Sequence, residues 1–191
     1  AGSENKSARE QASNFEIAFP SERAADWDKL PGNEKGLKAH FKTEFTDTEP
    51  LAFAEVQVIL TPLKKDLATR SLESIAGQWA TLMEGALTST KDPKEGKATL
   101  GGQEAYFRDV KGDYQAGAGP GHVTWYITRM GKFVYVLYVI RTFKAVGDEG
   151  LEGEINTIRD SFKFLKIEEV KADPKQKGEG GPQGPAGGGA T

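Results

Sequence analysis

Residues 131–143 read GKFVYVLYVIRTF. From Phe133 to Ile140 every side chain is apolar or aromatic, so neither alternation face is polar. Phe133, Tyr135, Leu137 and Val139 point one way, and Val134, Val136, Tyr138 and Ile140 point the other. A membrane helix needs about 20 consecutive apolar residues, roughly twice what this run offers. The run is also rich in Val, Ile and Tyr, which favour strands. It is therefore read as a strand buried on both faces, central in a sheet with a packed layer on each side.

Working outward, Gly131-Lys132 is a two-residue turn back to the strand Val123–Met130, VTWYITRM. Gly102 to Val110 leads into another strand. Upstream, Leu51–Leu60, LAFAEVQVIL, is a strand ended by Thr61-Pro62. Lys38–Phe45 alternates, with Ala39, Phe41 and Phe45 on one face and Lys38, His40, Lys42 and Glu44 on the other, which predicts a wet face. Phe15–Phe19 is a short first strand, stopped by Pro20. A connection follows, with Trp27 and Leu30 turned inward and Pro31-Gly32 as a turn.

Two segments change period. Leu72, Ile75, Ala76, Trp79, Leu82, Met83, Ala86 and Leu87 recur at helical spacing, which predicts a helix over 68–87. Leu151, Ile155, Ile158 and Phe162 predict a second over 148–162, before a short last strand within 164–170. The stretch STKDPKEGKA, 89–98, reads as a loop. Consecutive strands joined by tight turns imply an antiparallel sheet. The expected class is α+β: a three-layer α/β/α sandwich around a mostly antiparallel sheet, one helix covering each face.

The 191 residues suit one domain. Residues 1–13 are polar and without period, and read as a flexible N-terminal arm. Residues 14–170 form the domain. Residues 171–191, KADPKQKGEGGPQGPAGGGAT, have nothing to bury and read as a Gly/Pro-rich tail. Gly178, Gly181, Gly184 and Gly187 fall at every third position, but so few triplets do not sustain a collagen helix.

The formal net charge of -3 argues against a general nucleic-acid binder. The absence of cysteine removes disulfides, thiolate nucleophiles and cysteine-based metal sites. The first residue is Ala, followed by Gly and Ser, which favours an exported chain.

Candidate chemistry is sparse. His40 and Glu44 lie about 13 Å apart along one strand at ~3.3 Å per residue, too far to share a metal. Gln115–His122, QAGAGPGH, is glycine-rich, but it precedes a strand and lacks the GK[ST] ending of a phosphate loop. It reads as a hairpin loop with Gly117, Gly119, Gly121 and His122 available as partner contacts. No G-x-S-x-G elbow occurs, and the carboxylate pairs Asp109/Asp113 and Glu168/Glu169 have no evident cause for a raised pKa. Trp79 and Trp125 read as core. Trp27, between two aspartates, reads either as core or as an exposed binding anchor.

The chain resembles the PsbP-like superfamily, which includes the extrinsic P protein of photosystem II, a Ran-binding import factor and bacterial exported proteins or lipoproteins. The resemblance runs over about residues 14–167. It is carried by FEIAFP, EVQVIL before the long helix, GGQEAYFRD, the VTWYITRMGKFVYVLYVI hairpin, and the closing pattern Ile155, Ile158, Ser161, Phe162 and Phe164. It implies a sandwich that works by binding and not by catalysis, with no cofactor, and a bacterial extracytoplasmic location with any membrane tether outside these residues. No functional residue transfers with it.

The expected function is a non-catalytic protein-interaction or assembly domain that docks a protein partner, or another copy, through loops and terminal arms. The alternative is a small-ligand or lipid carrier with an apolar pocket between sheet and helix, lined by Trp79, Met83, Trp125 and Tyr138. An enzyme would require His40 or His122 to converge with acids in one cleft.

Overall fold

A computed structural model describes residues 7–19, 27–33, 35–45, 52–115, 119–142, 149–174 and 184–185. Its strands are β1 (Ser7–Glu10), β2 (Phe15–Ala18), β3 (Asp28–Leu30), β4 (Leu37–Phe45), β5 (Ala52–Pro62), β6 (Leu87–Leu100), β7 (Gln103–Tyr114), β8 (Pro120–Met130), β9 (Phe133–Thr142) and β10 (Lys163–Phe164). Its helices are α1 (Lys65–Thr69), α2 (Leu72–Met83) and α3 (Glu149–Ser161). A seven-stranded antiparallel sheet runs in the order β3-β4-β5-β9-β8-β7-β6, and a smaller antiparallel sheet runs β1-β2-β10.

Strand β9 is the opening stretch of the sequence, and it occupies the middle of the large sheet. Val134 and Leu137 are wholly buried. Its neighbours set the register: Val136 faces Ile59 on β5 and Ile127 on β8. Each face seeds a separate core. Val134, Val136, Tyr138 and Ile140 pack with Leu67, Ile75, Trp79 and Met83 of α1 and α2. Tyr135, Leu137 and Val139 pack with Phe15 and Ile17 of β2, with Leu151, Ile155 and Ile158 of α3, and with Phe162 just after it.

That second layer corrects the expected three-layer α/β/α sandwich. The protein is mostly β, with three short helices. The small sheet shares the second face with α3: Phe15 stands edge-on to Tyr135 at 6.4 Å between ring centres, and the Tyr135 hydroxyl donates to the Ser13 carbonyl at 2.7 Å. Two readings hid this. The polar start of the chain supplies β1, whose Ala8 is buried beside Ile17. The charged stretch 89–98 belongs to β6, an edge strand paired on one side only, to β7. Lys91, Pro93, Lys94 and Lys97 are what an unpaired edge needs to discourage other chains from adding to it.

The first helix is shorter than its apolar stripe. It divides at Arg70, and Ser71 caps α2 by accepting the Ser74 N–H at 3.1 Å. Arg129 on β8 donates to the carbonyls of Leu67, Ala68 and Arg70, satisfying the end of α1. The helix α2 then stops at Met83, ahead of Gly85, near Phe53 and Glu55 of β5 and Tyr138 and Ile140 of β9. That shortfall creates the site described next.

Candidate functional site

Where α2 ends, a cavity of about 330 Å³ opens between the helix and the large sheet. Its walls are Phe53 and Glu55 of β5, Tyr138 and Ile140 of β9, Tyr114 of β7, and Leu82, Gly85 and Ala86 at the end of α2. Gly184 and Pro185 of the tail lie at its edge. Most of this lining is apolar or aromatic. Phe53 and Tyr114 meet edge-to-face at 5.6 Å between ring centres. The polar exception is Glu55, only 2% exposed.

Glu55 sits at this depth because β5 is buried on both faces. Alternation puts Phe53, Glu55, Gln57 and Ile59 on the face that meets α1 and α2. An ionised carboxylate taken from water needs partners. Gln57, itself fully buried, donates Nε2–H to Glu55 Oε2 at 3.0 Å. His40, across the ladder on β4, places Nε2 at 3.3 Å from the same oxygen. Lys42 Nζ lies 3.9 Å from Oε1, nearer at 2.9 Å to Glu44, and 4.9 Å above the Phe53 ring. The carboxylate is felt by the cavity walls. Burial, and after it the Glu55 charge, pushes the Tyr114 and Tyr138 hydroxyls above the usual tyrosine range.

A second polar chain lies on the opposite face. His122 Nε2 meets Asp109 Oδ1 at 2.6 Å, and Thr124 donates to Asp109 Oδ2 at 3.1 Å. Arg141, 3% exposed, donates to Thr124 at 3.0 Å and pairs with Glu152 of α3 at 2.8 Å. Burial works against the Asp109 charge, yet the bonds from His122 and Thr124 and the Arg141 charge hold its carboxyl below the ordinary range. This chain ties three strands to α3.

The residues singled out in the sequence are dispersed. Trp27 is 1% exposed, packs on Phe19 and donates its indole N–H to Glu154 at 3.1 Å, so it is no exposed anchor. Gly117 lies outside the described residues. Gly119 accepts the Tyr114 N–H at 3.0 Å, closing the β7–β8 turn with φ +128°. Gly121 packs under Leu87, and His122 is spent on Asp109. Trp79, Met83 and Trp125 fill solid core, and of the expected pocket residues Tyr138 alone reaches the cavity. Each histidine has a carboxylate, but the two pairs stand on opposite faces of the sheet and do not converge. Among the described residues no three His, Asp or Glu groups are arranged to hold a metal ion.

Glu55, Gln57 and Tyr114 were not legible as a site. The available signal was a glutamate and a glutamine inside a strand otherwise apolar on both faces. The supposed wet face of β4 is also corrected in part: His40 is 8% exposed because its partner is across the ladder and not along the strand.

No protein-family model matches the sequence, and no curated protein matches it. Solved structures do match. LpqN of Mycobacterium tuberculosis, a protein involved in cell envelope biogenesis, superposes with a TM-score of 0.57 at 14% identity, over 85% of this chain and 86% of LpqN. A Bacteroides thetaiotaomicron protein superposes with a TM-score of 0.49 at 10% identity, over 84% of this chain and 48% of that one. At such identities the likeness to LpqN is one of fold. No described helix is long and apolar enough to cross a membrane.

Proposed function

We propose that this chain is a non-catalytic binding domain that works in the bacterial cell envelope, outside the cytoplasm, and takes a small ligand in the cleft at the end of α2. The observation that carries this reading is the cleft itself. A cavity of about 330 Å³, apolar on most sides with one buried carboxylate, has the make-up of a small-molecule site. The fold shared with LpqN, a protein involved in cell envelope biogenesis, supports the location, and so does the PsbP-like resemblance of the sequence.

Titration with 1-hexanol, followed residue by residue by amide NMR, tests the reading. Shifts centred on Phe53, Ala86, Tyr114, Tyr138 and Ile140, and lost in Ala86→Trp, are expected. Shifts scattered elsewhere, or unchanged in Ala86→Trp, would overturn it.

Docking of a protein partner is the second reading. It is favoured by the large apolar side chains left exposed among the described residues: Leu82 beside the cleft mouth, and Ile167 and Val170 after the last strand.

A further inference from the structure

We infer that the ligand of this cleft is an aliphatic ammonium, whose charged head meets Glu55 and whose carbon chain lies against Phe53, Tyr114, Tyr138 and Ile140. The inference rests on the cleft being the binding site and names the chemistry of what enters it.

One oxygen of the Glu55 carboxylate is poorly met. Glu44 and Glu55 supply two carboxylates, and Lys42 is the one lysine or arginine paired with either among the described residues. Lys42 stands closer to Glu44, so Glu55 Oε1 keeps only a long ion pair at 3.9 Å. Gln57 and His40 both meet Oε2, at 3.0 and 3.3 Å, so Oε1 is the oxygen left for an entering N–H donor. A carboxylate that is 2% exposed and lines a cavity is costly to leave in that condition, and an entering cation relieves it. An anion would be repelled, and a neutral group would leave the charge as it is.

The walls fit the same ligand. Aromatic faces attract cations through their ring quadrupoles. The protein already shows this at the cleft, where Lys42 holds a primary ammonium 4.9 Å above Phe53. Tyr114 and Tyr138 offer further ring surface within the field of Glu55. Leu82, Ala86 and Ile140 supply an apolar wall for a short hydrocarbon chain. A guest with a charged head and an oily body matches this division.

The test is a head-group series at constant chain length: n-hexylammonium, 1-hexanol and hexanoate, titrated at neutral pH by amide NMR. Hexylammonium is expected to bind at least ~10-fold tighter than hexanol, with hexanoate weakest, because a hydrogen bond with a charged partner is about twice as strong as a neutral one. Glu55→Gln, checked for folding by circular dichroism, is expected to bring the ammonium down to the level of the alcohol. Should that variant fail to fold, Lys42→Met serves instead: it removes the competing ammonium and is expected to tighten hexylammonium binding several-fold. Hexanol or hexanoate binding as tightly as the ammonium overturns the inference and leaves the cleft a binding site of other preference. So does ammonium affinity unchanged in Glu55→Gln, or not raised in Lys42→Met. If none of the three probes shifts the cleft residues, the cleft reading itself falls, and this inference with it.

Discussion

Trp27 donates its indole N–H to the Glu154 carboxylate of α3 at 3.1 Å, across 127 positions of sequence. The bond pins the segment before β3 to the last helix, while the ring packs 5.6 Å from Phe19. Trp27→Phe keeps most of the packing and removes the donor. It is expected to cost on the order of 1–2 kcal/mol, because the carboxylate loses a buried partner. Trp27→Ala adds a cavity and is expected to cost about 3–5 kcal/mol. Urea unfolding of the two variants checks both. Acrylamide quenching gives a direct check of burial: Trp27, Trp79 and Trp125 are at most 5% exposed, so native emission should be blue and weakly quenched.

The Asp109–His122–Thr124–Arg141 chain predicts an acid-side loss of stability. Burial raises the Asp109 pKa, but its hydrogen bonds and the Arg141 charge outweigh that and leave it below the ordinary carboxyl range. A carboxyl whose pKa is depressed on folding contributes its full stabilisation above the unfolded pKa and loses it as pH falls through the folded one. Stability measured by urea unfolding should therefore decline as pH drops below about 4. Asp109→Asn should be less stable by on the order of 1–2 kcal/mol at neutral pH, and should lose less than the parent between pH 5 and pH 2.

The strands of the large sheet were readable where one rule governed each. Period-2 patterning located β4, and length with a Val, Ile and Tyr composition located β9, whose two apolar faces placed it at the centre. The helices were readable from their stripes, but not the break at Arg70, which depends on Arg129 reaching over from β8. Strand β6 was hidden because its identity lies in backbone pairing with β7, while its side chains are those of a solvated segment. The cleft was hidden for a different reason. Glu55, His40 and Tyr114 come from strands β5, β4 and β7, and only the sheet order β4-β5-β9-β8-β7 and the early end of α2 bring them to one place.

Two glycines read as loop contacts or passed over turn out to hold the β6 entry against the sheet. Gly112 and Gly121 are cross-strand partners on β7 and β8. A Cβ on Gly112 would sit 2.5 Å from the Thr88 carbonyl oxygen, whereas one on Gly121 would meet the end of the Leu87 side chain at the same distance. Backbone cannot yield as a leucine methyl can. Gly112→Ala is therefore expected to cost about 2–3 kcal/mol or more, and Gly121→Ala about 1 kcal/mol, in equilibrium unfolding. Equal costs would mean that the Leu87 side chain is as rigid as the ladder.

The tail gives the last prediction. Lys171 N–H bonds the Gly131 carbonyl at 2.9 Å, and Asp173 N–H bonds the Leu63 carbonyl at 2.9 Å, so the chain is held to the domain up to that point. Gly184 and Pro185 then line the cleft, with Gly184 packed against Leu82, the exposed leucine of α2. A Gly/Pro segment in that place competes with any guest. Truncation after Pro174 keeps both anchoring bonds and removes the competitor. It should leave the thermal midpoint within a few degrees of the full chain, because little apolar area is lost. It should raise the affinity for the cleft probe 1-hexanol several-fold, in line with the gain expected when a self-occupied state is abolished. Titration of the full and shortened chains side by side decides it: equal affinities would show that the tail does not compete for the cleft.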